Sequence, residues 1–365
     1  MKEMREGLED YLSKDYPEED LGPTEEKGKN ERKIKTYVIE SNLNNPLLLQ
    51  DQSQGVFIKK TDDPSLDVLS FAEQSKKEVC YLDRANPRFW LLHSVANSAT
   101  LKYHLNNLIS KNSSNLDHTW FYSSFLENKC ALGRGDGFIL KFRNSFLPLE
   151  QNENEGDEIK RFSMLFWGAK PSMVISGLKQ NPILKSGVTL SHLRQIFNTR
   201  DGYVKETVNY HGNFVLSKGN SIPSHFLFIN NIVENYQNII SKVEDDYRIR
   251  YEKLDNGFTV KGTYIVITFG REISDFKLFL RKMLSCTQPF RLFGIPTFEN
   301  GGPIRITALD LHTNHRLNIE LFKDKMRVYL NGDSCGNVIT RLVTNLQMHY
   351  DSQVQIKGYD DERFV

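Results

Sequence analysis

Apolar residues along this 365-residue chain follow two textures, one of period near 3.6 and one that alternates at every second position. In "FWLLHSVANSATLKYHLNNLI", residues 89–109, a strand-length apolar run precedes Leu101, Leu105, Leu108 and Ile109 at i, i+4, i+7 and i+8. Asn97 or Ser98 can cap the first turn, so the stretch predicts a strand leading into an amphipathic helix. The same phase recurs at a constant offset of 175 in "YIVITFGREISDFKLFLRKML", residues 264–284. There Phe276, Leu280, Met283 and Leu284 hold the apolar positions, with Ser274 as the expected cap. Further parallels follow as predicted strands: "HTWFYSSFLEN" against "PFRLFGIPTFEN", "GFILKFRNSF" against "PIRITALDLH", and "IKRFSMLFW" against "RLNIELFK" with "MRVYL". Each series closes in a helix. "KPSMVISGLKQN" begins at Pro171, and "SCGNVITRLVTNLQMHY" stacks Val338, Leu342 and Leu346 on one face.

The expected fold is therefore α+β, with two pseudo-repeated units of strand, helix, three or four antiparallel strands, helix. Residues 1–34 form a flexible charged N-terminal segment with a short helix near residues 3–13; 35–182 form the first unit and 258–365 the second. Residues 183–257 hold an inserted helix, "TLSHLRQIF", a hairpin, "YVKETVNYHGNFVLS", and a long connector helix behind Ser221 and Pro223. Strand, helix, four strands, helix resembles each half of the TATA-binding-protein-like fold, a curved antiparallel sheet backed by helices. That likeness implies architecture and not function.

Composition is that of a globular chain, 39% hydrophobic and 25% charged, with a formal charge of +1 and so no global field for nucleic acid or anionic membrane. Residues 1–35 carry eight basic and eleven acidic side chains, which leaves the remainder mildly basic. The four cysteines lie far apart without a C-x-x-C pair, and no apolar run approaches a membrane span or a signal peptide. A cytoplasmic, non-membrane protein is expected, and no cofactor is implied.

Alternation in the second unit sends Ile304, Ile306, Leu309, Leu311, Leu317, Ile319, Leu321, Met326, Val328 and Leu330 toward the helices, with a phase slip near Ala308 as a bulge would produce. The opposite face then carries Arg305, Asp310, His312, Glu320, Phe322, Arg327 and Tyr329. In the first unit the corresponding face carries Lys141, Arg143, Arg161 and Trp167. Cations interleaved with aromatic rings suit nucleic acid or a protein partner in a larger assembly. The expected function is accordingly a non-enzymatic binding subunit using Lys141, Arg143, Arg161, Trp167, Arg305, Phe322, Arg327 and Tyr329. The alternative is a metal-dependent, nuclease-like hydrolase centred on Asp310, His312 and Glu320. "GRGDG", residues 133–137, precedes a strand and is read as a tight turn needing positive φ, not a phosphate cradle; the acidic run at 153–161 is read as a solvated loop.

Overall fold

The computed structural model describes residues 2–14, 33–51, 53, 55–73, 76–147, 159–168, 170–359 and 364. It is an α+β structure built on antiparallel sheets. The first sheet contains β1 (Lys35–Ser41), β2 (Val56–Lys60), β3 (Leu66–Glu73), β4 (Lys76–Asp83), β5 (Phe89–Ser94), β6 (Leu116–His118), β7 (Arg134–Arg143), β8 (Arg161–Trp167), β9 (Leu190–Asn198), β10 (Tyr203–Asn209) and β11 (Asn213–Gly219). Its order is β2-β3-β4-β5-β1-β11-β10-β9-β7-β8. Strand β1 pairs with β5 along one edge; along the other, Lys35–Tyr37 meet β11 and Ile39–Ser41 meet β6. A lone hairpin follows, β12 (Arg250–Leu254) with β13 (Gly257–Lys261). The last sheet contains β14 (Ile265–Thr268), β15 (Leu292–Thr297), β16 (Ile304–Asp310), β17 (Arg316–Leu321), β18 (Lys325–Leu330) and β19 (Gln355–Lys357), in the order β15-β16-β17-β18-β14-β19.

Seven α-helices are formed among the described residues: α1 (Lys2–Lys14), α2 (Ser98–Lys111), α3 (Ser123–Asn128), α4 (Pro171–Gln180), α5 (Ile222–Lys242), α6 (Phe276–Met283) and α7 (Asn337–His349). Helix α2 starts where expected, because Asn97 Oδ1 accepts from the Ala99 and Thr100 amides. Helix α6 is capped one residue later than expected, by Asp275 accepting from Leu278 N at 3.0 Å. Helix α5 opens on Ser221, whose hydroxyl accepts from Ser224 N, and buries Phe226, Ile229, Val233, Tyr236 and Ile240 on one stripe.

Helix α7 departs from the amphipathic reading. Every residue from Asn337 to Met348 is buried, because the helix lies against the first sheet as well as the last. Its Gln347 accepts from Ser123 N through Oε1 (2.8 Å), and Thr189 Oγ1 donates to the Gln347 carbonyl (2.7 Å). Val338, Leu342 and Leu346 join a core that runs without interruption from Val38 and Phe214 to Ile306 and Val328.

The two runs do not repeat one topology. In the later run β14 returns beside β18; in the earlier one β5 lies between β4 and β1, and β1, β11, β10 and β9 separate it from β7 and β8. Apolar period records which face of an element is buried and not which strand becomes its neighbour. "HTWFYSSFLEN" supplies only the last residue of β6 and then the short α3, not a strand matching β15, its rings being buried as Trp120, Phe121, Tyr122 and Phe125. "TLSHLRQIF" is no helix but β9, which pairs with β7 and β10 in the middle of the large sheet. Its apolar positions fit either period, and two flanking ladders decide for strand.

The glycines of "GRGDG" lie where β7 begins, without positive φ, and the ladder to β9 shifts register between Gly135 and Gly137. They are required by close approach. A Cβ on Gly137 would come within 2.0 Å of the Trp167 ring, and one on Gly133 within 2.3 Å of the Ile196 carbonyl oxygen. Asn314, in the turn after β16, does adopt φ +58°. The acidic run lies outside the described residues except Ile159, Lys160 and Arg161.

Helix α1 docks through Met4 and Leu8 onto Val204, Leu216, Ile222 and Phe226. Beneath it, His93 Nδ1 meets Thr36 Oγ1 at 2.8 Å, the same hydroxyl meets His225 Nε2 at 3.2 Å, and His225 Nδ1 meets Glu206 Oε1 at 2.5 Å. Burial, reinforced by the neighbouring His225 and Arg5, lowers the His93 pKa to about 3. Unfolded His93 titrates near ~6.5. Between these values the unfolded chain binds a proton that the folded chain refuses, so this contribution is intact above pH ~6.5 and is lost as pH falls toward 3. Urea midpoints of wild type measured down this range should therefore fall more steeply than those of His93→Gln; parallel profiles would refute the assignment. At the centre, Tyr236 Oη accepts from Trp120 N at 3.0 Å and bonds Asn337 and Thr340. Tyr236→Phe should cost about 1–3 kcal/mol in urea unfolding by leaving buried partners unsatisfied, and an unchanged midpoint would show that the hydroxyl is dispensable.

Candidate functional site

The expected surface residues divide between two sheets. On β7 and β8, Arg143 stands opposite Arg161 and Lys141 opposite Ser163, all exposed. Trp167 is half-buried on the same face, with the Arg194 guanidinium 4.5 Å from its ring and Arg194 Nε held by Asp136 at 2.9 Å. On the last sheet, Arg305 bonds Glu299 (2.9 Å) and approaches Glu320 (4.0 Å), while Glu320 accepts from Arg327 (3.4 Å) and Tyr329 (3.0 Å). The Arg327 guanidinium also lies over the rings of Tyr264 and Phe322. Arg305 and Arg327 are thus already neutralised, while Arg316, exposed on the same face of β17, pairs with no carboxylate among the described residues. Edge strand β15 adds exposed apolar side chains to it, Phe293 at 48% and Ile295 at 63% exposure, opposite Leu309 and Thr307. A separate cleft of about 580 Å³ between α4 and β7 is lined by Gly135, Pro171, Ile175 and Leu193, with the Lys179–Glu127 pair (2.6 Å) among its walls.

Asp310, His312 and Glu320 do not converge. Burial alternates strictly through Ile304, Ile306, Ala308 and Asp310, and the ladders on both sides of β16 run without a bulge. The expected phase slip is absent, and Asp310 and His312 face inward while Glu320 stays on the open face. Leu309 and Leu311, read as core, are only half-buried. Strand parity overrides apolar identity at these positions because the interior opposite β16 contains a charge.

That charge is Arg341 of α7. Its Nη1 bonds Asp117 Oδ2 at 2.6 Å, its Nη2 bonds Asp310 Oδ1, and its Nε donates to the Phe290 carbonyl at 3.2 Å. Arg291 reaches the other Asp117 oxygen at 3.3 Å. Burial opposes ionisation of Asp117, but Arg341, His312 and Arg291 together hold its carboxyl well below the usual range.

A second charged cluster adjoins the first. Arg88, just before β5, donates to Glu40 Oε1 through Nε (2.9 Å) and Nη2 (2.7 Å), and to both oxygens of Glu244. The Gly336 amide also donates to Glu244. The Cys335 thiol donates to Glu40 Oε1 at 3.1 Å, and Arg88 Nη2 lies 3.3 Å from its sulfur. Burial pushes the Cys335 thiol well up, and Glu40 adds to the effect. His312 Nε2 lies 3.7 Å from Glu40 Oε2, so Glu40, His312 and Cys335 place ligand-type atoms within 4.8 Å of one another. Glu40 and Cys335 are 295 positions apart, and neither stands in a spacing that a motif could reveal. Only the pairing of β1 into the centre of the sheet could have pointed to them.

Removing one member of a buried ion network strands the others. Arg341→Met should lower stability by about 3–5 kcal/mol in urea unfolding. Adding Asp117→Asn and Asp310→Asn to that variant should restore part of the loss, whereas equal stability of wild type and Arg341→Met would remove the charge from the account.

The whole sequence, residues 1–365, matches the model of a single family, described as MJECL33-like protein. A relative from Methanocaldococcus jannaschii, the uncharacterized protein MJECL33, is 27% identical over 368 residues, covering 90% of this chain and 87% of the relative. Together with the continuous core that spans both sheets, the full-length match makes this chain a member of the MJECL33-like family.

Proposed function

We propose that this protein is a non-enzymatic binding subunit that engages a protein partner through the open face of its last sheet. The observation carrying this reading is that exposed Phe293 and Ile295 share the face with Arg305 and Arg327, two arginines whose charge is already met by Glu299 and Glu320, which leaves Arg316 as the exposed arginine of that face without a carboxylate among the described residues. Phosphate recognition needs cations left available for phosphate oxygens, whereas protein interfaces combine apolar side chains with self-neutralised charge. The lone β12–β13 hairpin supports the same reading. Tyr251 and Val260 form a directly opposed pair, Phe258 shares their face, and all three are more than half exposed. A two-stranded hairpin is marginal alone and gains from a partner. No described helix is long and apolar enough to cross a membrane, and the four cysteines are unpaired, in keeping with a reducing cytoplasm.

Nucleic acid remains the second reading, carried by exposed Lys141, Arg143 and Arg161, which pair with no carboxylate among the described residues. Against it, the segment joining β7 to β8 contains Glu150, Glu153, Glu155, Asp157 and Glu158 in sequence.

Affinity capture of the full chain from its native cells, after nuclease treatment, separates the two. The protein reading predicts a stoichiometric protein partner retained at high salt and lost from a Phe293→Asp/Ile295→Asp variant with a wild-type unfolding midpoint. Binding of single-stranded oligonucleotides that falls steeply with salt, is unaffected by that variant and is abolished by Arg143→Glu/Arg161→Glu would establish the second reading instead.

A further inference from the structure

We infer that Glu40, His312 and Cys335 form a binding site for a thiophilic divalent cation, with Zn²⁺ as the expected ion. The tautomer of His312 is fixed by its backbone partner. Its Nδ1 lies 2.8 Å from the Ser113 carbonyl oxygen, which can only accept, so Nδ1 carries a proton. In neutral His312 the lone pair of Nε2 then points toward Glu40 Oε2, another acceptor, 3.7 Å away. Neither atom has a hydrogen-bond partner, and both side chains are fully buried. Two buried acceptors facing each other are resolved either by a proton on Nε2 or by a metal ion between them.

The separation favours a metal ion over a proton. A charge-assisted N–H···O bond closes to roughly 2.7–2.9 Å. Two ligand atoms at zinc distances of roughly 2.0–2.2 Å in a tetrahedral site stand about 3.4 Å apart, much nearer the observed spacing. The Cys335 sulfur completes three ligands of the types that zinc accepts, and a thiolate disfavours Mg²⁺ and Ca²⁺. Water can take the fourth position. Support around the ligands is present as well. The Ser113 carbonyl orients the imidazole, and Arg88 Nη2 stands 3.3 Å from the sulfur.

Charge bookkeeping agrees. On binding, the Cys335 S–H bond breaks, the sulfur binds the ion, and the proton leaves to solvent. Thiolate, Glu40 and Glu244 then offset the ion and Arg88, giving a neutral cluster, whereas without the ion the two carboxylates face one guanidinium. Arg88 does not occupy the site, because it bonds Glu40 through Oε1 and leaves Oε2 to the ion. Its partly exposed side chain marks the side from which solvent reaches the cluster. The ion would tie β1 to the turn after β16 and to the start of α7.

The full chain, purified without chelator and dialysed against Zn²⁺, should retain one ion per chain by mass spectrometry of the metal. Chelation should lower its unfolding midpoint. Replacement by Co²⁺ should produce a thiolate-to-metal charge-transfer band that is lost in Cys335→Ser and kept in Cys286→Ser. Metal content far below one per chain, with no band and no change in midpoint on chelation, would overturn the site. A band persisting in folded Cys335→Ser would overturn the assignment of its ligand. Wild-type metal content and midpoint decide the matter even where Cys335→Ser does not fold.

Discussion

A guanidinium without access to water lies at the junction of the two sheets. Arg341 is fully buried on α7 and bonds Asp117 of β6 on one side and Asp310 of β16 on the other. Burial of the three ions is mutually supported, with Arg291 as a further partner of Asp117, because the desolvation of each is offset by its neighbours in the network. This mutual dependence specifies geometry. For all three groups to meet, β6 must pair with the end of β1, β16 must turn Asp310 inward, and α7 must enter between the sheets with Arg341 facing both. A purely apolar seam would tolerate sliding; a set of ion pairs with fixed hydrogen-bond directions does not.

The second cluster extends the same seam. Arg88, Glu40, Glu244 and Cys335 come from the approach to β5, from β1, from the turn after α5 and from the loop before α7. Tyr236 stands between the two clusters, bonded to Asn337 while its ring packs among Phe89, Phe121 and Phe125. Polar contacts and aromatic packing therefore converge where the N-terminal and C-terminal parts of the chain meet. The exposed faces lie on the outside of each sheet, on β7 and β8 at one end and on β15 to β18 at the other.

Much of this was legible from residue order alone. Capping side chains beside a 3.6-residue apolar period located α2 and α5, and strict alternation located β17 and β18 with their buried faces. Other features were hidden for physical reasons. Leu190, Leu193, Ile196 and Phe197 fit a helix as well as a strand, and only pairing with β7 and β10 decides. Leu309 looked like core because it is apolar, yet Asp310 is the residue taken inside, since its partner lies on an element 31 positions away. Of the inferred metal ligands, His312 already stood among the candidates beside Asp310, but Glu40 and Cys335 come from distant segments that no local spacing connects to it. Apolar phase also suggested a duplication that strand order does not contain.

The buried charges make the two sheets one cooperative unit. Trp90, Trp120 and Trp167 all belong to the first part of the chain, so their fluorescence follows the large sheet, while amide hydrogen exchange of β16 to β18, read by mass spectrometry, follows the last. Urea unfolding monitored by both should give a single coincident transition. Separate midpoints, with the last sheet opening while tryptophan emission stays native, would contradict the account.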